Sequence, residues 1–218
     1  VIENTSAYKQ LNRRLDVTGD LVFGNSNGYY LTIGNGGDLH LSSGGQLATS
    51  ATNGFIYIAA GTGGTARLSA DAGSSIAVGD GTTLTLRGDG TTGNQIVGAF
   101  GLSGTGAIVI DSGVLGTAGI TSFGGSGLLR VGGGTTLNLD HATTFGSTFR
   151  LEGGTLAGSG AVNISGAFTW AGGSMAGSGV TTLTGNTVID NTSAYKFLGR
   201  RLDVSGNLSF GNSSGYYL

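Results

Sequence analysis

Residues 153–160 read Gly-Gly-Thr-Leu-Ala-Gly-Ser-Gly and return 19 positions later, at 172–179, as Gly-Gly-Ser-Met-Ala-Gly-Ser-Gly. Between the copies lie short alternations such as Val162-Asn-Ile164 and Phe168-Thr-Trp170. Alternation with period two marks strands whose successive side chains point to opposite faces. A unit this short cannot bury its own apolar face; it does so only by stacking on further units like itself. Two longer echoes agree. Val78–Leu86 returns as Val131–Leu139 at an offset of 53, and Leu102–Ile110 as Leu156–Ile164 at an offset of 54, each near three units. The reading is an all-β parallel β-helix, a β-solenoid with about 18–21 residues per coil. Its rungs stack about 4.8 Å apart.

Working outward, the same kind of run recurs along the chain: Tyr30–Ile33, Leu39–Leu41, Phe55–Ala59, Ala66–Ala70, Ser75–Val78, Thr83–Leu86, Ala107–Ile110, Leu128–Val131, Thr136–Leu139 and Thr187–Ile189. Leu84/Leu86, Ile108/Ile110 and Leu137/Leu139 are the inward positions of such strands. Asn-Gly at 27–28, 35–36 and 53–54, and Asp-Gly at 80–81 and 89–90, supply turns, because these residues tolerate left-handed backbone. Pro is absent, as expected where every strand must donate to neighbours on both sides. Ser6–Leu15 reads as an irregular excursion or a short strand. A β-sandwich array is the competing architecture. The 19-residue repeat argues against it, since a sandwich does not repeat itself strand pair by strand pair.

A far longer period encloses these. Residues 1–31 return as residues 188–218, with 24 of 31 positions identical at an offset of 187. Residues 1–187 form one long unit and 188–218 begin the next copy of it, in one continuous solenoid. The expectation is a piece of a tandem array, with nine or ten coils, roughly 45 Å, per long unit.

Composition narrows the function. Gly supplies 46 of 218 residues, yet 38% of the chain is apolar, enough for a core. Only 10% is charged and the net charge is −2, which gives no reason to expect nucleic acid as a partner. No Cys is present, so there is neither a disulfide framework nor a thiolate zinc site. No run of about 18 apolar residues offers a transmembrane helix. No signal-peptide pattern opens the sequence.

Residues 160–179, Gly-Ala-Val-Asn-Ile-Ser-Gly-Ala-Phe-Thr-Trp-Ala-Gly-Gly-Ser-Met-Ala-Gly-Ser-Gly, run on into Val180-Thr-Thr-Leu-Thr-Gly185. With Gly199-Arg-Arg-Leu-Asp-Val-Ser-Gly206, this resembles the repeats of giant Gram-negative surface adhesins, of the filamentous-haemagglutinin-like and autotransporter types. The resemblance implies a right-handed β-helix at the bacterial cell surface or outside it, serving attachment, aggregation or matrix formation. It implies no catalytic residue and no cofactor.

The residues offer one candidate contact patch. Six of the ten basic residues lie in the duplicated segment, at Lys9, Arg13, Arg14, Lys196, Arg200 and Arg201. Tyr8, Tyr29 and Tyr30 accompany the first copy; Tyr195, Tyr216 and Tyr217 accompany the second. A Tyr/Arg patch repeated once per long unit suits glycans or cell-surface proteins as partners, beside self-assembly into a fibre. The plainer reading is a Tyr ladder with Arg side chains laid over the coils. The alternative function is a polysaccharide-active β-helix enzyme, which needs carboxylates converging in one groove. The twelve acidic residues are scattered and mostly sit in turn contexts, so no catalytic set is assigned. Gly79-Asp-Gly-Thr-Thr and Gly88-Asp-Gly-Thr-Thr lie nine residues apart, a calcium β-roll interval, but read better as two turns. His40 and His141 show no metal-ligand spacing, and no metal site is assigned. No Ser–His–Asp set with a nucleophile elbow is read. The Thr pairs are not at one coil spacing, which argues against ice binding.

Overall fold

In a computed structural model, residues 1–4, 8–26, 30–50, 52–190 and 194–211 are described. They form 23 strands and no helix, and no helix is long and apolar enough to cross a membrane. Every strand pairing is parallel. The chain is a parallel β-solenoid, with three strand positions per turn.

Each position repeats as a face. Face 1 carries an inward ladder through Leu31, Ile56, Leu86, Ile110, Val131, Leu151, Trp170 and Ile189, ending at Phe210. Face 2 carries Leu15, Leu39, Leu68 and Ile96, then Leu115, Leu137, Leu156, Met175 and Leu198. Face 3 carries Leu21, Leu47, Ile76 and Leu102. It continues as Phe100, Phe123, Phe145, Ile164, Leu183 and Val204.

The interior is what the alternation supplies. In Gly54–Ile58, Gly54, Ile56 and Ile58 are buried while Phe55 and Tyr57 point outward. Gly54 opens this strand instead of making the turn expected of Asn-Gly. It faces inward, where a Cβ would lie 2.7 Å from the Phe23 ring. Five phenylalanines stack along the core: Phe100, Phe123, Phe145, Phe149 and Phe168, with centroids 4.3–5.5 Å apart and planes within 13° of parallel. Phe145 and Phe149 join face 3 to face 1 across a corner.

Coil length is uneven. Thr143 pairs with Val162, and Phe149 with Phe168, each 19 residues on, as the short repeat requires. Leu84 pairs with Gly54, 30 residues back. The wider coils hold longer strands and longer corners, such as residues 59–65. One long unit therefore takes fewer coils than the nine or ten expected. Of Ser6–Leu15, Ser6 and Ala7 lie outside the described residues; the rest holds two short strands, Lys9–Leu11 and the start of Arg14–Val17.

Candidate contact surface

The outward side of face 1 gathers an aromatic strip. Strand alternation projects Phe55 and Tyr57 from one rung and Arg87 from the next, directly beside Tyr57. Tyr30 precedes the strand below and stacks on Tyr8 at 5.6 Å, their planes 11° apart. It meets Phe55 edge-on at 5.9 Å and Tyr57 at 6.3 Å. The Arg87 guanidinium lies 5.8 Å from the Tyr30 ring and 6.0 Å from Phe55. Its Nε and Nη2 each donate to Asp111 at 2.8 Å, and Nη1 donates to the Tyr30 hydroxyl at 3.2 Å. The hydrogen bonds to Asp111 raise the Arg87 pKa above its ordinary value. Tyr30, Tyr57, Arg87, Gly88 and Ser112 line a shallow cavity of about 260 Å³. The rings stiffen one another along the rod, while Tyr8, 63% exposed, remains open to contact.

Only part of the sequence-derived patch meets here. Tyr8 and Tyr30 belong to the strip. Arg13 and Arg14 lie at the start of a face 2 strand; Arg14 pairs with Asp16 at 2.7 Å and reaches Asp38 at 3.5 Å. Tyr195 is exposed near the far end. Arg201 pairs with Asp203 at 2.7 Å. Arg200 is not a surface contact: it is 6% exposed, inside a corner. Its Nε donates to the Gly179 carbonyl at 3.0 Å, Nη2 to Gly160 at 2.9 Å and Nη1 to Ala176 at 3.4 Å. Burial lowers its pKa. Lys196 is likewise buried and donates to the Ala194 carbonyl at 2.8 Å. Tyr29, Tyr216 and Tyr217 lie outside the described residues. Phe55, Tyr57, Arg87 and Asp111 escape a reading centred on the duplicated segment. The Phe-Ile-Tyr-Ile alternation at 55–58 is the signal for the two rings.

Three polar clusters do other work. Ser69 Oγ donates to Asp38 at 2.6 Å and lies 2.9 Å from His40 Nδ1, whose Nε2 is 3.3 Å from Asp71. With its own proton directed at Asp38, Ser69 takes one from His40 Nδ1. A serine 7% exposed and bonded this way ties two neighbouring rungs together; it does not present a nucleophile to solvent. The letters Gly-x-Ser-x-Gly do occur, at 24–28 and 211–215, against the expectation of no elbow, but both stretches run into residues not described. Glu152 clamps Arg150 at 2.8 Å and Arg130 at 2.9 Å, two like charges on neighbouring rungs. Asp89 accepts from the Gly61 and Thr91 amides, the Thr91 hydroxyl and Asn94 Nδ2. Asn94 is fully buried and also joins the Ala60 amide to the carbonyls of Thr91 and Val114, across three coils.

Asp80 and Asp89, nine residues apart, flank the strand Thr83–Gly88 at its opposite ends and do not stack. Among the described residues, no group of three or more His, Asp or Glu is assembled that could hold a metal ion. Comparison with known proteins finds no family model, no curated protein and no solved structure that matches this chain.

Proposed function

We propose that this chain is a structural and adhesive β-solenoid module of a long extracellular fibre or surface adhesin. It would carry contact surfaces away from a bacterial cell for attachment or matrix formation. One observation carries the reading: the parallel ladders run through every coil, and among the described residues the strands of the first and last coils are paired on one side only. The large exposed hydrophobics gather there, with Val1 and Leu15 at one end and Phe197, Leu198, Val204, Leu208 and Phe210 at the other. Among the described residues, Ile120 is the exposed large hydrophobic of the middle coils. Unpaired strand edges over an apolar cross-section invite further coils. The second copy of the duplicated segment already supplies one, seated on the last coil of the long unit.

Partners on this reading are further units of the same kind along the axis, and glycans or cell-surface proteins on the face 1 strip, where Tyr rings offer an apolar body with a polar tip. The test images the native assembly and assays adhesion. Rods of uniform width with a 4.8 Å axial repeat support the fibre. Isolated globules, or turnover of polyuronates by the purified chain, overturn it. Replacing Tyr8, Tyr30 and Tyr57 together by Ser should abolish cell or glycan adhesion with folding intact. Unchanged adhesion would remove the strip and leave the fibre.

A further inference from the structure

A repeat filling a whole number of turns would bring both of its copies onto one face. The strands here do otherwise. Lys9–Leu11 pairs with Leu31–Ile33 and so founds face 1. Its copy, Lys196–Leu198, pairs with Gly173–Met175 on face 2. Arg14–Val17 is on face 2, and its copy Arg201–Val204 pairs with Val180–Leu183 on face 3. Leu21–Phe23 is on face 3, and its copy Leu208–Phe210 pairs with Thr187–Ile189 on face 1. All three strands move by one face in the same sense, which no local slip of register produces. Inward and outward positions are preserved: Gln10 and Phe197 are both exposed. Shorter echoes also move in thirds. Leu84 lies on face 1 and its echo Leu137 on face 2, two turns and a third further on.

We infer that each 187-residue unit winds eight turns and one third, so that successive units in an array are rotated by one face. The rise is about 40 Å per unit at about 4.8 Å per coil, and three units restore the starting face after roughly 120 Å. This rests on the array reading above. The exposed Tyr8 and Arg14 of the segment, with their counterparts Tyr195 and Arg201, would then appear on each face in succession, and the fibre would offer contacts in three directions. A one-sided fibre could only lie along a single surface.

The join has its own lock. Arg200 ties the start of the second copy to Gly160 and Gly179 in the two coils beneath. Gly179 must lack a side chain for this, since a Cβ there would lie 2.4 Å from the guanidinium. Arg13, the same residue in the first copy, is exposed, and among the described residues no coil lies beneath it. A preceding unit would supply the same carbonyls.

The chain has no Cys, so introduced pairs report cleanly. Neighbouring rungs about 4.8 Å apart are within disulfide reach. Three double variants of the chain are oxidised: Q10C/T32C, S174C/F197C and V188C/F197C. The first two should crosslink nearly completely and the third only at background, with unchanged circular dichroism in all. Crosslinking of V188C/F197C in place of S174C/F197C would place the second copy in phase with the first, overturning the rotation while leaving the rod. Failure of all three, Q10C/T32C included, would deny the rungs themselves and remove the fibre reading as well.

Discussion

Replacing Phe145 by Ala tests whether the core behaves as a stack of neighbours. The ring is fully buried. It is sandwiched between Phe123 at 5.4 Å and Phe149 at 4.3 Å. Truncating a buried Phe costs about 3–5 kcal/mol. The upper half of that range is expected, because two stacking contacts, each worth about 0.5–1.5 kcal/mol, go with it. A globular domain would spread such a loss over one cooperative transition. A solenoid coil touches only the coils above and below, so the loss falls on one interface. Guanidinium unfolding followed by circular dichroism should show an earlier midpoint and a shallower slope, as the rod begins to unfold in two parts. Hydrogen exchange should show amides beyond residue 145 losing protection before those of residues 31–100. Phe210→Ala, at a ring 60% exposed, is the control and should cost within about 0.5 kcal/mol. A midpoint shift at Phe145 no larger than at Phe210, or an unsplit transition after a large shift, would refute the reasoning.

Arg200→Met should cost about 2–3 kcal/mol in the same assay, because it strips the buried carbonyls of Gly160 and Gly179 of their donor, whereas Arg13→Met should be nearly neutral. Gly173→Ala should destabilise strongly: φ is +85° and a Cβ would lie 2.1 Å from the Gly154 carbonyl oxygen, while Gly133→Ala, with open space around it, should be neutral or slightly stabilising. Burial alone would raise the Asp89 pKa, but hydrogen bonds from Thr91, Asn94 and the Gly61 amide outweigh it and hold it at about 2, against 3.8 ordinarily. A depressed acid stabilises above its unfolded pKa, and that stability is lost as pH falls from about 4 to about 2. Urea titrations across that window should show a loss of about 1–2 kcal/mol, discounted for partial exposure, that Asp89→Asn removes.

Strand existence was legible because alternation is a local property. Leu128–Val131 and Thr187–Ile189 begin and end where the sequence places them. Continuity around corners was not: Ala66–Val78 is one bent strand where two runs were read, and Ala107–Gly125 passes through all three faces. Gly at 73 and 113, each with positive φ, bends these strands without ending them. The 19-residue period is that of the tightest coils alone. The offsets of 53 and 54 span two turns and a third and two turns and two thirds, because the wider coils between absorb the difference. The Tyr8–Tyr30 contact was within reach of sequence reasoning, since both belong to one duplicated segment. Arg87 was not, because it lies 57 residues from Tyr30 and reaches it only across two coil steps.

That unevenness has an evolutionary corollary. Perimeter varies from 19 to 30 residues while the step between rungs stays fixed. Inserted or deleted residues at a corner therefore alter girth and leave height untouched. Such a chain can drift in length among descendants, grow bulges that bear new chemistry, and still keep every floor of the tower at its old level.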